Sequence, residues 1–165
     1  MSRIKVGDRI PDVSFKQFGS DGLGDVSTGE IFAGKRVLLF GIPGAFTPVC
    51  QGNHLPGYVD QAAAFKLHGI DEIACVSVND TFVMRAFGEA KGTDGKVTML
   101  ADSDGEFTQK VGMEADASSF GLGKRSERYA MVVKDGVVEM LHVESHFVDH
   151  AVTSAQSMLE ALATA

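Results

Sequence analysis

Residues 37–50 read Val37-Leu-Leu-Phe-Gly-Ile-Pro-Gly-Ala-Phe-Thr47-Pro-Val-Cys50, an apolar run followed by a turn-rich loop and a helix start. The run from Val37 to Gly41 predicts a buried strand, because unbroken apolar residues suit a strand that is covered on both faces. Thr47 is a favourable N-cap, and Pro48 suits the first helical position, where its missing N–H costs nothing. This stretch therefore predicts a strand that passes through a short loop into a helix carrying Cys50 in its first turn.

The predicted helix continues to about Leu67, but it contains a proline. Pro56 cannot donate a hydrogen bond to the carbonyl of Gly52, so we expect a kink or a break there.

Downstream of the helix, the pattern alternates between strands and helices. It predicts a buried strand over 72–79, a helix over 81–90 capped by Asn79 or Asp80, a strand over 97–101 and a short helix over 102–111. A Gly/Ser-rich loop over 115–127 follows, and then a hairpin of 128–134 and 137–143 joined by Asp135-Gly136. The last predicted helix is capped by Thr153 or Ser154 and has Met158, Leu159 and Leu162 as its apolar stripe. This order predicts an α/β protein with a thioredoxin-like fold, an N-terminal extension and a central mixed sheet flanked by helices. A length of 165 residues suits a single domain over 1–165.

The charge balance excludes some partners. Lys and Arg number 15 against 22 Asp and Glu, for a net charge of -7. Such a surface repels phosphate backbones and anionic lipid, so we expect neither a nucleic acid nor a membrane as a partner. The longest apolar run is also far shorter than the ~20 residues that a membrane span requires.

The cysteines indicate the compartment. Two cysteines, Cys50 and Cys75, with no C-x-x-C spacing cannot build a disulfide scaffold or a four-thiolate zinc site. The N-terminus has no apolar h-region, so we expect no signal peptide. A cytoplasmic, reducing location is the expectation.

Two apparent binding motifs are better explained by ordinary structure. The run Gly29–Lys35 mimics a phosphate-binding loop, but Arg36 replaces the required Ser or Thr, and we predict a turn before the strand. His142, His146 and His150 recur at intervals of four, which leaves a metal site open, although solvated loop histidines are favoured. We expect no metal and no cofactor.

Cys50 is the strongest candidate for chemistry. In the first turn of a helix, unpaired backbone N–H groups and the helix dipole favour a thiolate. The alternative is a partly buried cysteine without reactivity, and spacing alone does not decide between them. His54 follows on the same helix face, either as the base of a nucleophile pair or in a packing or supporting role, which we favour. Cys75 lies in the middle of a predicted strand and is interpreted as core.

The run Pro43-Gly-Ala-Phe-Thr47-Pro-Val-Cys50 resembles the peroxiredoxin signature P-x-x-x-T-x-x-C. Similarity to the type II, or peroxiredoxin-five, subfamily extends over nearly the whole chain. It includes the runs 41–50, His54-Leu-Pro-Gly-Tyr58, 76–80, 100–105 and 128–133.

The resemblance implies a thiol peroxidase, an antioxidant oxidoreductase that reduces hydrogen peroxide and organic hydroperoxides. It implies that Cys50 is the peroxidatic cysteine, which attacks the peroxide and becomes a sulfenic acid. Thr47 would hydrogen-bond the peroxide, Arg128 would stabilise the thiolate and the polarised O–O bond, and Pro43 would shield the site from water. Arg125 lies nearby but does not hold the family position.

The second half of the reaction is less defined by the resemblance. Several type II members carry a late resolving cysteine, but this chain has none after Cys75. Cys75, at a spacing from Cys50 that plant-type members share, is the only internal candidate. A disulfide needs Cα atoms within ~7 Å, which a helix start and a mid-strand position do not favour without local unfolding. We therefore expect an external reductant, glutathione with glutaredoxin, or thioredoxin. The subfamily implies a homodimer packed near the active-site loop.

Two alternatives to an efficient peroxidase remain from the sequence. One is a peroxide sensor or redox relay that passes oxidation from Cys50 to a partner. The other is a chaperone-like module in which Cys50 is incidental. Peroxide consumption by a Cys50→Ser variant separates an enzyme from such a module.

Overall fold

The computed structural model describes residues 2–19 and 21–164. Its strands are β1 (Ser14–Gly19), β2 (Gly22–Ser27), β3 (Arg36–Ile42), β4 (Glu72–Ser77), β5 (Thr98–Ala101), β6 (Glu114–Asp116), β7 (Lys124–Ser126), β8 (Tyr129–Lys134) and β9 (Val137–Val143). Its helices are α1 (Thr28–Phe32), α2 (Leu55–Asp60), α3 (Ala62–Leu67), α4 (Thr81–Ala90), α5 (Glu106–Lys110) and α6 (Ala155–Thr164). A π-helical turn at Cys50–His54 precedes α2, and a 3₁₀ turn at Ser118–Phe120 lies between β6 and β7.

Seven strands form the central sheet in the order β2-β1-β5-β4-β3-β8-β9. The three central strands are parallel, and the strands at both edges are antiparallel. The predicted parallel core with an antiparallel edge is confirmed, and so is the thioredoxin-like mixed sheet flanked by helices. In the part of the chain that the structure describes, no helix has the length and apolarity needed to cross a membrane.

β3 is buried on both faces of the sheet. Leu38 and Phe40 pack into the apolar cluster on one face, whereas Val37 and Leu39 pack into the cluster on the other. Because side chains alternate along a strand, both clusters draw apolar residues from the same short run. This explains why β3 is a continuous apolar segment rather than an alternating one.

The helix that carries Cys50 is not broken at Pro56, but it changes there from a π-helical turn to the α-helix α2. The N–H of Leu55 donates to the carbonyl of Cys50, five residues back, which is the π-helical pattern. A wider turn just before proline accommodates the hydrogen bond that proline cannot make. The helix is interrupted instead at Gln61, which separates α2 from α3 and was not predicted from the sequence.

Several predicted boundaries are confirmed by the structure. α4 spans Thr81–Ala90, and the carboxylate of Asp80 caps it by accepting from the N–H of Val83. Asp135 and Gly136 both have positive φ, as the tight turn of the β8–β9 hairpin requires. Ser154, one of the two predicted caps, accepts from the N–H of Ser157 at the start of α6.

Three predictions of local structure were wrong. Residues 115–127 are not only a loop, because β6 and β7 pair within that region; strands of three residues are too short to show a period. The segment 29–35 has the predicted turn, at 33–34, but the expectation that it forms only a turn was wrong, because its first four residues belong to α1, which Ser27 caps. The helix predicted over 102–111 covers only Glu106–Lys110, because the Asp102 carboxylate takes up the N–H groups of Phe107 and Thr108.

A substitution at Gly41 tests how closely β3 and β8 pack. A Cβ at Gly41 would overlap the ring of Tyr129, its register partner, which is fully buried and has no room to shift. Gly41→Ala is expected to lower the free energy of unfolding by about 1–3 kcal/mol through overpacking. Urea denaturation measures the change. Gly24→Ala is the control, since a Cβ there meets open space, and equal stability of the two variants would contradict the prediction.

Candidate active site

The active-site loop connects the carboxyl end of β3 to the helix that carries Cys50. The N–H of Ala45 donates to Oδ1 of Asn79, which tethers the loop to the segment after β4 (3.0 Å). Phe46 adopts a positive φ of 62°, an unusual conformation for a residue with a side chain. The loop is thus held in a specific conformation immediately before Cys50.

Thr47 occupies the position before the first helical turn, but its side chain does not act as the predicted cap. Its hydroxyl donates to the carbonyl of Gly44 (2.7 Å), while its carbonyl accepts the first helical bond from Gln51 (2.9 Å). The hydroxyl therefore bends back over the loop, and its lone pairs remain available as acceptors.

Arg128 is the central polar residue of the site. Its side chain is among the largest that are fully buried, with the residue only 2% exposed. Nη2 donates to Cys50 Sγ (3.1 Å), Nη1 donates to Nδ1 of His54 (2.8 Å), and Nε donates to the carbonyl of Phe147 (2.9 Å). A guanidinium keeps its charge when buried, so a positive charge lies in direct contact with the Cys50 sulfur.

His54 supports Arg128. Because its Nδ1 accepts from Arg128, we assign the ring hydrogen to Nε2, which donates to the carbonyl of Thr153 (3.1 Å). Burial holds the pKa of His54 well below its usual value, and the charge of Arg128 is the second-largest cause of this shift. A neutral imidazole that is engaged at both nitrogens agrees with the favoured supporting role and not with a base for Cys50.

Apolar and aromatic side chains enclose this network. Tyr58 stacks on Phe40 with ring centroids 4.2 Å apart, and the His54 ring lies 4.8 Å from the same Phe40. The hydroxyl of Tyr58 donates to the carbonyl of Thr153 (2.7 Å), which therefore receives two donors. Burial raises the pKa of Tyr58, so this hydroxyl stays a donor.

Pro43 and Arg125 belong to the loop and its support. Pro43 is buried at the end of β3. Nη1 of Arg125 lies 3.4 Å from the carbonyl of Pro43, and its Nε donates to the carbonyl of Leu122 (2.9 Å). Of the residues singled out from the sequence, Cys50 and Arg128 are in direct contact. Pro43 and Thr47 lie on the loop that leads into Cys50, and Arg125 in β7 contacts that loop.

The two thiols are free and fully buried. Cys75 lies in the middle of β4, in the same apolar cluster as Cys50. Burial, with the charge of Cys50 as a smaller cause, raises the pKa of Cys75 well above its usual value. The interpretation of Cys75 as a core residue is confirmed.

The three regularly spaced histidines do not converge. His142 contacts the carbonyl of Val152, and His146 accepts from the N–H of Val148. His150 instead packs edge-on against His54, with ring centroids 5.0 Å apart, so its interpretation as a solvated loop residue was wrong. Among the residues described by the structure, no group of His, Cys, Asp or Glu has the arrangement of a metal site.

Two important partners of Arg128 and His54 were not found from the sequence. They are the backbone carbonyls of Phe147 and Thr153, both in the connection between β9 and α6. A backbone carbonyl is present at every residue and leaves no trace in a sequence pattern.

Comparisons with known proteins agree with this geometry. The Redoxin family model matches residues 5–159. Peroxiredoxin-2C of Arabidopsis thaliana is 45% identical over 163 residues, which cover 98% of this chain and 100% of that protein. The chloroplastic Peroxiredoxin-2E-2 of Oryza sativa subsp. japonica is 45% identical over 98% of this chain and 74% of its own length.

Solved structures show the same similarity. Reduced Prx3 from Vibrio vulnificus, in complex with hydrogen peroxide, has a TM-score of 0.91 and 45% identity over 96% of this chain and 99% of that one. Peroxiredoxin 5 from Alvinella pompejana has a TM-score of 0.85 and 34% identity over 98% of this chain and 99% of that one.

The lowered pKa of His54 predicts a loss of stability in mild acid. The unfolded chain binds a proton at this histidine near pH 6.5 while the folded protein does not, so the free energy of unfolding falls as the pH drops through that value. When the pH is lowered from about 7.5 to about 5.5, the free energy of unfolding should fall by about 1 kcal/mol more in wild type than in His54→Asn. Urea denaturation at both pH values measures the difference. Exposed His68→Asn should behave like wild type, and an equal acid loss in wild type and His54→Asn would contradict the assignment.

Proposed function

This chain belongs to the Redoxin family and is a type II peroxiredoxin, a thiol-dependent peroxidase, and from that premise we propose that Cys50 is the sulfur that attacks the peroxide. The observation that carries the assignment is the guanidinium of Arg128, fully buried and 3.1 Å from Sγ. Among the described residues, no cation donates a hydrogen bond to the sulfur of Cys75, and burial raises the pKa of its thiol by more than the charge of Arg128 lowers it.

In the proposed step, the Cys50 thiolate attacks one oxygen of a hydroperoxide. The S–O bond forms as the O–O bond breaks, and the leaving oxygen takes a proton from solvent to become water or an alcohol. Cys50 is oxidised to a sulfenic acid while the peroxide is reduced by two electrons. Negative charge moves from sulfur to the leaving oxygen, so a fixed cation beside both atoms stabilises the transition state.

The surrounding loop would orient the peroxide. Because the Thr47 hydroxyl donates to Gly44, it can meet the peroxide only as an acceptor, which would fix the direction of the peroxide O–H. Cys50 lies in the first helical turn, where backbone N–H groups are free to donate to an oxygen. Pro43, buried at the end of β3, would exclude water from the reacting atoms. Hydrogen peroxide as a substrate is supported by the Vibrio vulnificus relative, which was crystallised with it.

We propose an external thiol as the reductant. The thiolate of that reductant attacks the sulfenic sulfur, forming a mixed disulfide and releasing water, and a second thiol then frees Cys50. Glutathione with glutaredoxin, or thioredoxin, supplies such thiols. The burial of Cys75 within β4 supports this choice over an internal disulfide. A supply of reduced thiols fits the cytoplasm, where we place the protein.

A homodimer through the loops around the active site is part of the proposal. Phe46, Phe120 and Val148 are large apolar side chains that are 44%, 59% and 44% exposed. Phe46 belongs to the active-site loop, and Phe120 packs against Phe147, whose carbonyl holds Arg128. Exposed apolar residues of this kind favour burial against a second copy of the chain.

Arg128 should contribute far more to the peroxide step than Arg125. Arg128→Met removes the charged donor at the sulfur and is expected to slow Cys50 oxidation by roughly 10²–10³. Arg125→Met, its matched control, removes contacts with the carbonyls of Leu122 and Pro43 but none with the sulfur, and it should have a much smaller effect. Rapid-quench oxidation followed by intact mass measures both rates, with Cys50→Ser as the inactive baseline. A larger loss at Arg125 would contradict the assignment of Arg128.

The external-thiol mechanism predicts that Cys75 is dispensable. Cys75→Ser should keep most of its turnover with glutathione and glutaredoxin, at the cost of about 1 kcal/mol of stability for burying a hydroxyl. Activity is therefore compared well below the unfolding temperature. Wild type treated with peroxide alone should gain oxygen at Cys50 in intact-mass analysis. Loss of two hydrogens through a Cys50–Cys75 disulfide, together with lost turnover in Cys75→Ser, would refute the mechanism.

A further inference from the structure

Glu144 is a buried carboxylate that lies just after β9 and outside the catalytic set. The residue is 5% exposed. Its Oε1 accepts from the N–H of Ala151 (3.1 Å), and its Oε2 accepts from the N–H groups of Val152 (2.9 Å) and Thr153 (2.8 Å) and from the Thr153 hydroxyl (2.7 Å). One side chain thus ties together both ends of the connection 144–153.

The far end of this connection supports His54. Thr153 donates to Glu144 through both its N–H and its hydroxyl. The carbonyl of Thr153 accepts from Nε2 of His54 and from the hydroxyl of Tyr58. A carbonyl fixed in this way determines the orientation of the imidazole. The imidazole in turn accepts from Nη1 of Arg128.

The connection also contacts Arg128 directly. Phe147, in its middle, accepts from Nε of Arg128, and the N–H of Glu144 donates to the Arg128 carbonyl (3.0 Å). Two of the three groups that orient the guanidinium, Phe147 and His54, therefore depend on the conformation of 144–153.

We propose that Glu144 is a positioning residue for the peroxide step. It fixes the connection 144–153 so that Nη2 of Arg128 stays directed at Cys50 Sγ. The proposal rests on the proposed roles of Cys50 and Arg128, and it adds a residue that touches neither sulfur nor peroxide.

The chemistry of the four contacts requires a carboxylate. All four partners of Glu144 are donors, so a glutamine in either orientation would turn its amide nitrogen on at least one of them, the N–H of Ala151 when its oxygen takes the place of Oε2. Burial alone would raise the pKa of Glu144, but the hydrogen bonds from Thr153, Ala151 and Val152 lower it below its usual value. The carboxylate is therefore charged at neutral pH.

The test compares two reactions of the same sulfur in Glu144→Gln. The pH profile of each reaction gives its plateau rate, at which the thiolate is fully formed. Oxidation by hydrogen peroxide depends on where Arg128 points, whereas alkylation by iodoacetamide depends on the thiolate and on access to the buried sulfur. We expect the plateau rate of oxidation to fall about 10-fold, since a small displacement of a catalytic group has effects of this order, while the plateau rate of alkylation stays unchanged. Glu139→Gln, which removes a β9 carboxylate paired with Arg36, is the matched control and should change neither rate.

A double-mutant cycle shows whether Glu144 acts through Arg128. In an Arg128→Met background, Glu144→Gln should cause no further loss of oxidation rate. If Glu144→Gln does not fold, Thr153→Val removes the hydroxyl donor alone and should show a smaller loss with the same dependence on Arg128. An unchanged oxidation rate in the folded variant would overturn the proposal. So would a decrease in oxidation rate by the same factor in the wild-type and Arg128→Met backgrounds.

The outcomes separate this inference from the proposed function. If Arg128→Met oxidises Cys50 at the wild-type rate, the proposed role of Arg128 fails. If Arg128→Met is slow while Glu144→Gln is as fast as wild type, only the inference about Glu144 fails.

Discussion

The contact between the buried Arg128 guanidinium and the Cys50 sulfur is the interaction on which the site depends. Moving a permanent charge out of water costs several kcal/mol unless partners replace its hydration. Here each nitrogen of the guanidinium has a partner: the sulfur, an imidazole and a backbone carbonyl. Among these three partners, only the sulfur is able to carry a negative charge that offsets the positive charge of Arg128.

The sheet brings these two residues together through the register of two strands. Gly41, near the end of β3, pairs with Tyr129 at the start of β8. Arg128 directly precedes Tyr129, so it lies beside the end of β3, where the loop to Cys50 begins. The absence of a side chain at Gly41 lets the Tyr129 ring pack against the strand. The π-helical turn then places Cys50 and His54 so that one guanidinium reaches both.

Strong local signals made much of this arrangement predictable from the sequence. The apolar run of β3, the Thr-Pro helix start, the Asp80 cap and the Asp-Gly turn each act within a few residues. The pairing of Cys50 with Arg128 is different, because the two are far apart in sequence. It was expected only through the family resemblance.

The rest could not be predicted because it depends on long-range contacts without a residue signature. The carbonyls of Phe147 and Thr153 act through the backbone, and Glu144 resembles any acidic loop residue until the connection folds around it. His150 was misinterpreted for the same reason, since its packing on His54 joins two distant segments. Strands as short as β6 and β7 carry no period of their own and are fixed by their pairing.

We infer that the geometry of the Arg128 fork, and not its charge alone, drives peroxide reduction at Cys50. Arg128→Lys keeps the positive charge but cannot donate to the sulfur, His54 and Phe147 at once. The direct test is the rate constant of Cys50 oxidation by hydrogen peroxide in this variant, at a pH where the thiolate is fully formed. We predict a fall of roughly 10²-fold, close to the loss expected from removing a positioned donor. An oxidation rate equal to that of wild type would contradict the account, because it would mean that a nearby charge is sufficient.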